Sequence, residues 1–229
     1  LKTSKYPKAT LYRLLQTLLN QDMLSYNEEE QTYKLGLKLV RMAHSAWLQS
    51  SLAPVAVPFI DDLSAKVGET VHLAELDNGQ VLYVDKRNPA SPIEMYSQAG
   101  KVGPAYCTGV GKAMMAFLDE SELNKVISKQ AFHKYTKHTI TSAKALKKEL
   151  ATIKKEGISF DRQEHEEKII CISSPILTTN GKVIGGLSIT SSVDIHSLKS
   201  LEKFKPKLLE TSQLIGKEAG AWSFPEKNY

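Results

Sequence analysis

The sequence predicts an α+β fold: an antiparallel sheet flanked by helices, with a small basic helical unit in front of it. Three observations carry this reading. Apolar runs at 70–76 and 81–85 meet around Asp77-Asn78-Gly79, a strong hairpin signal. A second pair, 169–177 and 183–190, meets around Thr179-Asn180-Gly181. Helical periodicity falls between and after these pairs rather than alternating with single strands, which excludes a doubly wound parallel sheet.

The elements follow in order. Residues 7–19 read as a helix, with Pro7 suited to its first turn and Leu11, Leu14, Leu15 and Leu18 at helical spacing. After a break at Asn20-Gln21-Asp22, the runs 23–26 and 32–35 enclose the polar tip 27–31, giving a short hairpin that Gly36 ends. A helix with basic and amide side chains followed by a small hairpin is the layout of a winged helix-turn-helix. Residues 37–52 form a further helix, with Leu37, Val40, Met42, Ala43, Ala46 and Trp47 spread over more than one face. Such a helix packs on two sides, as an interdomain or intersubunit linker does.

From Pro54 the composition changes. Residues 58–67 read as a helix closed by Gly68, the hairpin 70–85 follows, and 93–97 alternates as a third strand. Helices are expected at 108–118, 119–128 and 142–156, the last stopped by Gly157. Strands at 158–161, 169–177 and 183–190 precede a C-terminal helix over roughly 194–219, in which Pro206 is the candidate kink. The expected organisation is therefore a winged helix-turn-helix over 1–36, a linker helix over 37–54 and a sensor-like domain over 55–229.

Composition narrows the function. The chain has 229 residues, 41% hydrophobic and 24% charged, the balance of a globular protein. No apolar run reaches the ~18–20 residues needed to span a bilayer, so no membrane partner is expected. The N-terminal Leu1-Lys2-Thr3-Ser4 lacks the apolar core of a signal peptide. Two cysteines make no disulfide framework and point to a reducing cytoplasm. The net charge of +5 is unevenly placed: Lys2, Lys5, Lys8 and Arg13 crowd the first twenty residues without an acid among them. A positive head on a nearly balanced body points to a polyanion, against the plainer reading of a solvated lysine-rich face.

Several ordered motifs resemble the IclR family of bacterial transcription regulators. They are Pro7-Lys-Ala-Thr-Leu-Tyr-Arg-Leu-Leu-Gln-Thr-Leu18, Tyr33-Lys-Leu-Gly36, Tyr106-Cys-Thr-Gly-Val-Gly-Lys-Ala113, Thr139-Ile-Thr-Ser142, Phe160-Asp-Arg-Gln-Glu-His-Glu166, Cys171-Ile-Ser-Ser-Pro175 and Gly186-Leu-Ser-Ile-Thr190. The sugar-acid-responsive members, of the ketodeoxygluconate-repressor type, look most similar. The resemblance implies a GAF-like effector domain, a DNA-binding unit whose first helix and most of whose second precede residue 1, and a homodimer or homotetramer. It implies no cofactor and no catalysis.

The recognition helix implied by this resemblance presents Lys8, Ala9, Thr10, Tyr12 and Arg13. Small Ala9 and Thr10 allow close approach to bases, and Lys8 and Arg13 suit phosphate or guanine in double-stranded operator DNA. Glu28, Glu29 and Glu30 at the wing tip would be repelled by phosphate. In the large domain, Thr108-Gly109-Val110-Gly111 precedes a helix, where free N–H groups suit a carboxylate. The family's effector contacts match Gly109, Val110, Asp161 and Cys171. Ser188 and Thr190 lie two apart on a strand, so their hydroxyls share a side. The expected ligand is a small hydroxy or keto acid. The sequence departs from the family at Ile169-Ile170-Cys171, where an Arg is frequent before the Cys. Two rivals remain: an enzyme using Cys107 or Cys171 with His165, and a metal sensor built on Asp161, His165 and Cys171. The first lacks any standard catalytic motif and the second any standard zinc spacing.

Overall fold

The computed structural model describes residues 5–50 and 52–220. Lys2 and the rest of Leu1–Ser4, Ser51, and residues 221–229 lie outside the described residues. The chain divides into two compact units, Leu1–Ser51 and Leu52–Tyr229.

The first unit opens with α1 (Lys8–Asn20). Pro7 sits just before the helix, at φ −57° and ψ 144°, and its carbonyl accepts the first two helical N–H groups, from Thr10 and Leu11. The antiparallel strands β1 (Leu24–Asn27) and β2 (Thr32–Leu35) form the wing. Its tip is organised by Asn27, whose Oδ1 accepts the N–H groups of Glu29 and Glu30. Gly36 is required by close approach, since a Cβ there would run into the Asp22 carbonyl. Helix α2 (Leu37–Ser50) follows. Its Leu37, Val40 and Met42 are 80%, 63% and 49% exposed.

The second unit is the α+β domain. Its sheet has the order β5-β4-β3-β8-β7-β6 and is antiparallel at every pairing. The strands are β3 (Thr70–Asp77), β4 (Gln80–Arg87), β5 (Val102–Pro104), β6 (Ser159–Arg162), β7 (Ile169–Leu177) and β8 (Val183–Ser192). Helices α3 (Ala53–Val67), α7 (Leu198–Leu201) and α8 (Lys205–Ala219) pack on β3, β7 and β8. Helices α4 (Gly109–Met115), α5 (Glu120–Ser128) and α6 (Ala143–Glu156) complete the unit. Val110, Met114 and Met115 share a core with Ala74, Leu76, Val81 and Tyr83 of the sheet and with Leu146, Leu150 and Ile153 of α6. Adjacent Gly185 and Gly186 serve opposite faces: a Cβ on the first would meet Leu52, and on the second Val110 and Met114.

Several boundaries differ from the sequence reading, for physical reasons. Residues 93–97 are not a strand; the third strand of the first meander is β5 instead. The alternation at 93–97 is real, since Met95 and Ser97 are buried while Glu94 and Tyr96 are exposed. The segment is held by side chains, not by a ladder: Tyr96 N–H donates to Glu166 Oε2, and Ser97 Oγ hydrogen-bonds with His72. Helix α3 begins at Ala53, with Pro54 in its first turn, and runs through Pro58. The C-terminal helix starts at Leu198, where Ser197 and Ser200 form a capping box. It passes through a 3₁₀ turn (Glu202–Phe204) into α8, so Pro206 opens a helix rather than kinking one. Ser142 caps α6, and Gly157 ends it in the left-handed region at φ 71°.

Candidate effector site

Strand register assembles the site. Asp161 of β6 lies opposite Cys171 of β7, and Cys171 lies opposite Thr190 of β8. Ser188 of β8 lies opposite His72 of β3. These residues, all on one face by the two-residue period of a strand, line a cavity of about 30 Å³. The start of α4 forms a second wall through Thr108, Gly109 and Val110, and Met95 and Ser97 of the segment before β5 form a third.

Seven of the eight ligand residues read from the sequence therefore meet in one place: Thr108, Gly109, Val110, Asp161, Cys171, Ser188 and Thr190. Gly111 does not line the cavity. Its missing side chain makes room for the Ala105 backbone and Thr108 Oγ1 instead. Thr108 does not cap α4 with its hydroxyl, which donates to the Pro104 carbonyl at 2.9 Å. Gly109 faces β6 and β7 at close range: a Cβ would come within 2.5 Å of Cys171 Sγ and 2.7 Å of Ser173 Oγ. The sequence reading missed His72, Tyr83, Ser97 and Glu166. A signal for His72 was present, as the only titratable base within the apolar run Thr70-Val-His-Leu-Ala.

His72 is the hub of this wall. Its Nε2 is 2.8 Å from Ser97 Oγ, and its Nδ1 is 3.3 Å from both Ser188 Oγ and Thr190 Oγ1. Burial, with a smaller push from Lys86, lowers its pKa to about 3 and keeps it neutral. Asp161 behaves oppositely. Burial, then the nearby Glu164 carboxylate, lifts it to about 7 against the N–H of Glu164, which donates to Oδ1 at 2.7 Å. On α4, Lys112 is fully buried, its Nζ paired with Glu164 and 3.7 Å from Glu149.

Burial pushes the Cys171 thiol up to about 12 and raises Cys107 further from its ordinary range. A thiol so raised is not a ready thiolate. Cys171 hydrogen-bonds with Ser173, whereas His165 stacks edge-on against Tyr96 and Tyr135. Among the described residues, no three His, Cys, Asp or Glu side chains converge on a point that could hold a metal ion.

On α1, Lys8, Ala9, Tyr12 and Arg13 are exposed and Thr10 is half-buried. Glu30 at the wing tip is paired with Lys34 at 3.1 Å.

Residues 44–217 match the family model for the bacterial transcriptional regulator IclR C-terminal domain. The chain is 31% identical over 218 residues to the HTH-type transcriptional regulator KdgR of Escherichia coli K12, covering 95% of this chain and 83% of that protein. Among solved structures, the Thermotoga maritima IclR is similar with a TM-score of 0.79 and 28% identity, over 93% of this chain and 85% of that one. The C-terminal domain of E. coli KdgR is similar with a TM-score of 0.66 and 30% identity, over 74% of this chain and 98% of that one.

Proposed function

Since the chain belongs to the IclR family of bacterial transcriptional regulators, we propose that it binds operator DNA through α1. In the same reading, a small hydroxy or keto carboxylic acid in the cavity beside α4 controls that binding. The observation that carries this reading is the convergence of Asp161, Cys171, Ser188 and Thr190 with the start of α4 around one small cavity. The N–H groups of Gly109 and Val110 suit the carboxylate, and Asp161, Ser188 and Thr190 suit hydroxyl or keto oxygens. At about 30 Å³ the cavity holds little more than water-sized occupants, so an acid of three to six carbons displaces the segment carrying Met95 and Ser97. That displacement is the differential interaction a two-state switch requires.

Lys8 and Arg13 serve as phosphate or base contacts, with Ala9, Thr10 and Tyr12 between them. The regulator works in the cytoplasm as a homodimer or homotetramer, with the exposed Leu37, Val40 and Met42 of α2 meeting a second copy. Residues 1–36 act as the DNA-binding unit and α2 as the linker, and the effector domain starts at Leu52 rather than at 55, because α3 already begins at Ala53.

A thermal-shift screen of three- to six-carbon hydroxy and keto acids tests the ligand assignment, because a ligand of the native state raises its melting temperature. Stabilisation that disappears in Thr190→Val and Ser188→Ala supports it. Stabilisation untouched by both places the ligand elsewhere.

A further inference from the structure

The charges around the cavity do not balance. Asp161 and Glu166 line it together with His72 and His165, and among the described residues no Lys or Arg side chain does. The neighbouring cations already have partners. Lys112 of α4 is paired with Glu164, Arg162 of β6 reaches Glu149 at 2.8 Å, and Lys86 of β4 donates to the Ser97 carbonyl at 2.8 Å. His72 of β3 is held neutral by burial. Glu166 stays ionised: burial opposes this, but the His165 side chain, the Tyr96 N–H and the Lys86 charge outweigh it.

Asp161 is therefore the group that must adapt. It is buried on β6, bonded to the Glu164 N–H, and faced by the Glu164 carboxylate, His165, the Cys107 and Cys171 thiols, Lys112 and Tyr83. A carboxylate held on the Gly109 and Val110 N–H groups sits beside Asp161, since even a Cβ on Gly109 would come within 3.1 Å of the Asp161 backbone nitrogen and both residues line the cavity. Two carboxyl groups in such contact cannot both be ionised.

We infer that the cavity binds a singly charged acid together with one proton, which Asp161 carries, and excludes doubly charged acids of similar size. The inference rests on the carboxylate reading given above. The ligand itself stays ionised, so the proton comes from solvent. Asp161, poised near pH 7, is ready to take it. Ligand binding is then level below about pH 6 and weakens about tenfold per pH unit well above pH 7. A second carboxylate on the ligand would meet the ionised Glu166, and the cation beside it, Lys86, is already shared between Glu166 and the Ser97 carbonyl.

The test uses the full chain, treated with a chelator, and two matched pairs of acids: glycerate with tartronate, and gluconate with glucarate. Titration calorimetry between pH 6 and 9, in buffers of different ionisation heat, counts the protons bound. The expected result is uptake approaching one proton per glycerate or gluconate at pH 8.5 and near zero at pH 6, with tartronate and glucarate at least tenfold weaker. Asp161→Asn, which cannot ionise, is expected to bind the single acids with no pH slope; if it fails to fold, the wild-type proton count decides alone. Single-acid binding without proton uptake, a pH slope that persists in Asp161→Asn, or equal affinity for the diacids overturns the inference and leaves the carboxylate reading standing. Binding of none of the four acids at any pH overturns both.

Discussion

Two buried residues in the cavity wall give the domain an opposed pH response. His72 has its folded pKa lowered to about 3 from an ordinary 6.5. The unfolded chain then binds the extra proton between those values, so the stability His72 contributes is present above pH 6.5 and lost as pH falls towards 3. The loss amounts to about 1.4 kcal/mol per pH unit within that window. His72→Gln keeps a donor and an acceptor but does not titrate. It is expected to be less stable than wild type at pH 7, by the loss of the Ser97, Ser188 and Thr190 contacts, with the gap narrowing as pH falls to 4.5. Urea unfolding across that range checks the sign, and a constant gap would show that His72 is not held neutral. Asp161 runs the other way. Its folded pKa is raised to about 7, so its favourable contribution is complete below pH 4 and declines as pH rises through 7. Asp161→Asn should therefore gain on wild type in unfolding free energy between pH 5 and pH 8.

Elements meet where glycine lets them. Gly186→Ala would place a Cβ 2.6 Å from Val110 Cγ2 and 3.0 Å from Met114 Cγ, so α4 must move off β8. The expected cost is about 1–3 kcal/mol in denaturant unfolding, as for other overpacked core positions. Gly109 carries a similar constraint against Cys171 and Ser173, so Gly109→Val perturbs the wall itself as well as the ligand's space. For that reason Ser188→Ala and Thr190→Val are the cleaner probes of the ligand. On α1, Arg13→Ala in the full-length regulator should weaken operator binding and leave the melting of the effector domain unchanged. A phosphate contact predicts a salt slope shallower by about one, and a base contact predicts relaxed specificity at one position. Unaltered binding to every sequence would remove α1 from the interface.

What the sequence disclosed follows the same physics. Strong local chemistry was readable: the Asn78-Gly79 and Asn180-Gly181 turns, the Ser142 and Gly157 ends of α6, and the paired hydroxyls of Ser188 and Thr190. Tertiary choices were not. The 93–97 segment has strand periodicity, but nothing local says that its partners are the His72 and Glu166 side chains, from residues distant in sequence. Helix α3 runs through Pro58, which a local reading takes as a start. His72 was missed because a lone histidine in an apolar run is more often a satisfied core residue. Only the β3–β8 register brings it opposite Ser188. Gly111 was overread for the same reason: two glycines in one turn look alike in sequence, yet one faces the cavity and the other the Ala105 backbone.

At the scale of the whole molecule, α2 exposes Leu37, Val40 and Met42 in an apolar stretch next to the wing. Light scattering of the intact protein at micromolar concentration is expected to give a dimer or tetramer, and a monomer would contradict the pairing of α2 with a second copy. The cavity beside α4 and the proposed DNA-binding helix α1 are expected to behave as two sites of one equilibrium. Linkage requires that an acid which prefers one state shift operator affinity by the same factor by which DNA shifts affinity for the acid, typically 5- to 150-fold. The most direct measurement is the operator affinity of the full-length protein with and without a saturating acid from the thermal-shift screen, in wild type and in Thr190→Val. The expected result is at least a fivefold change in wild type and none in Thr190→Val at the same acid concentration. An operator affinity indifferent to the bound acid, or a response that survives in Thr190→Val undiminished, would contradict it.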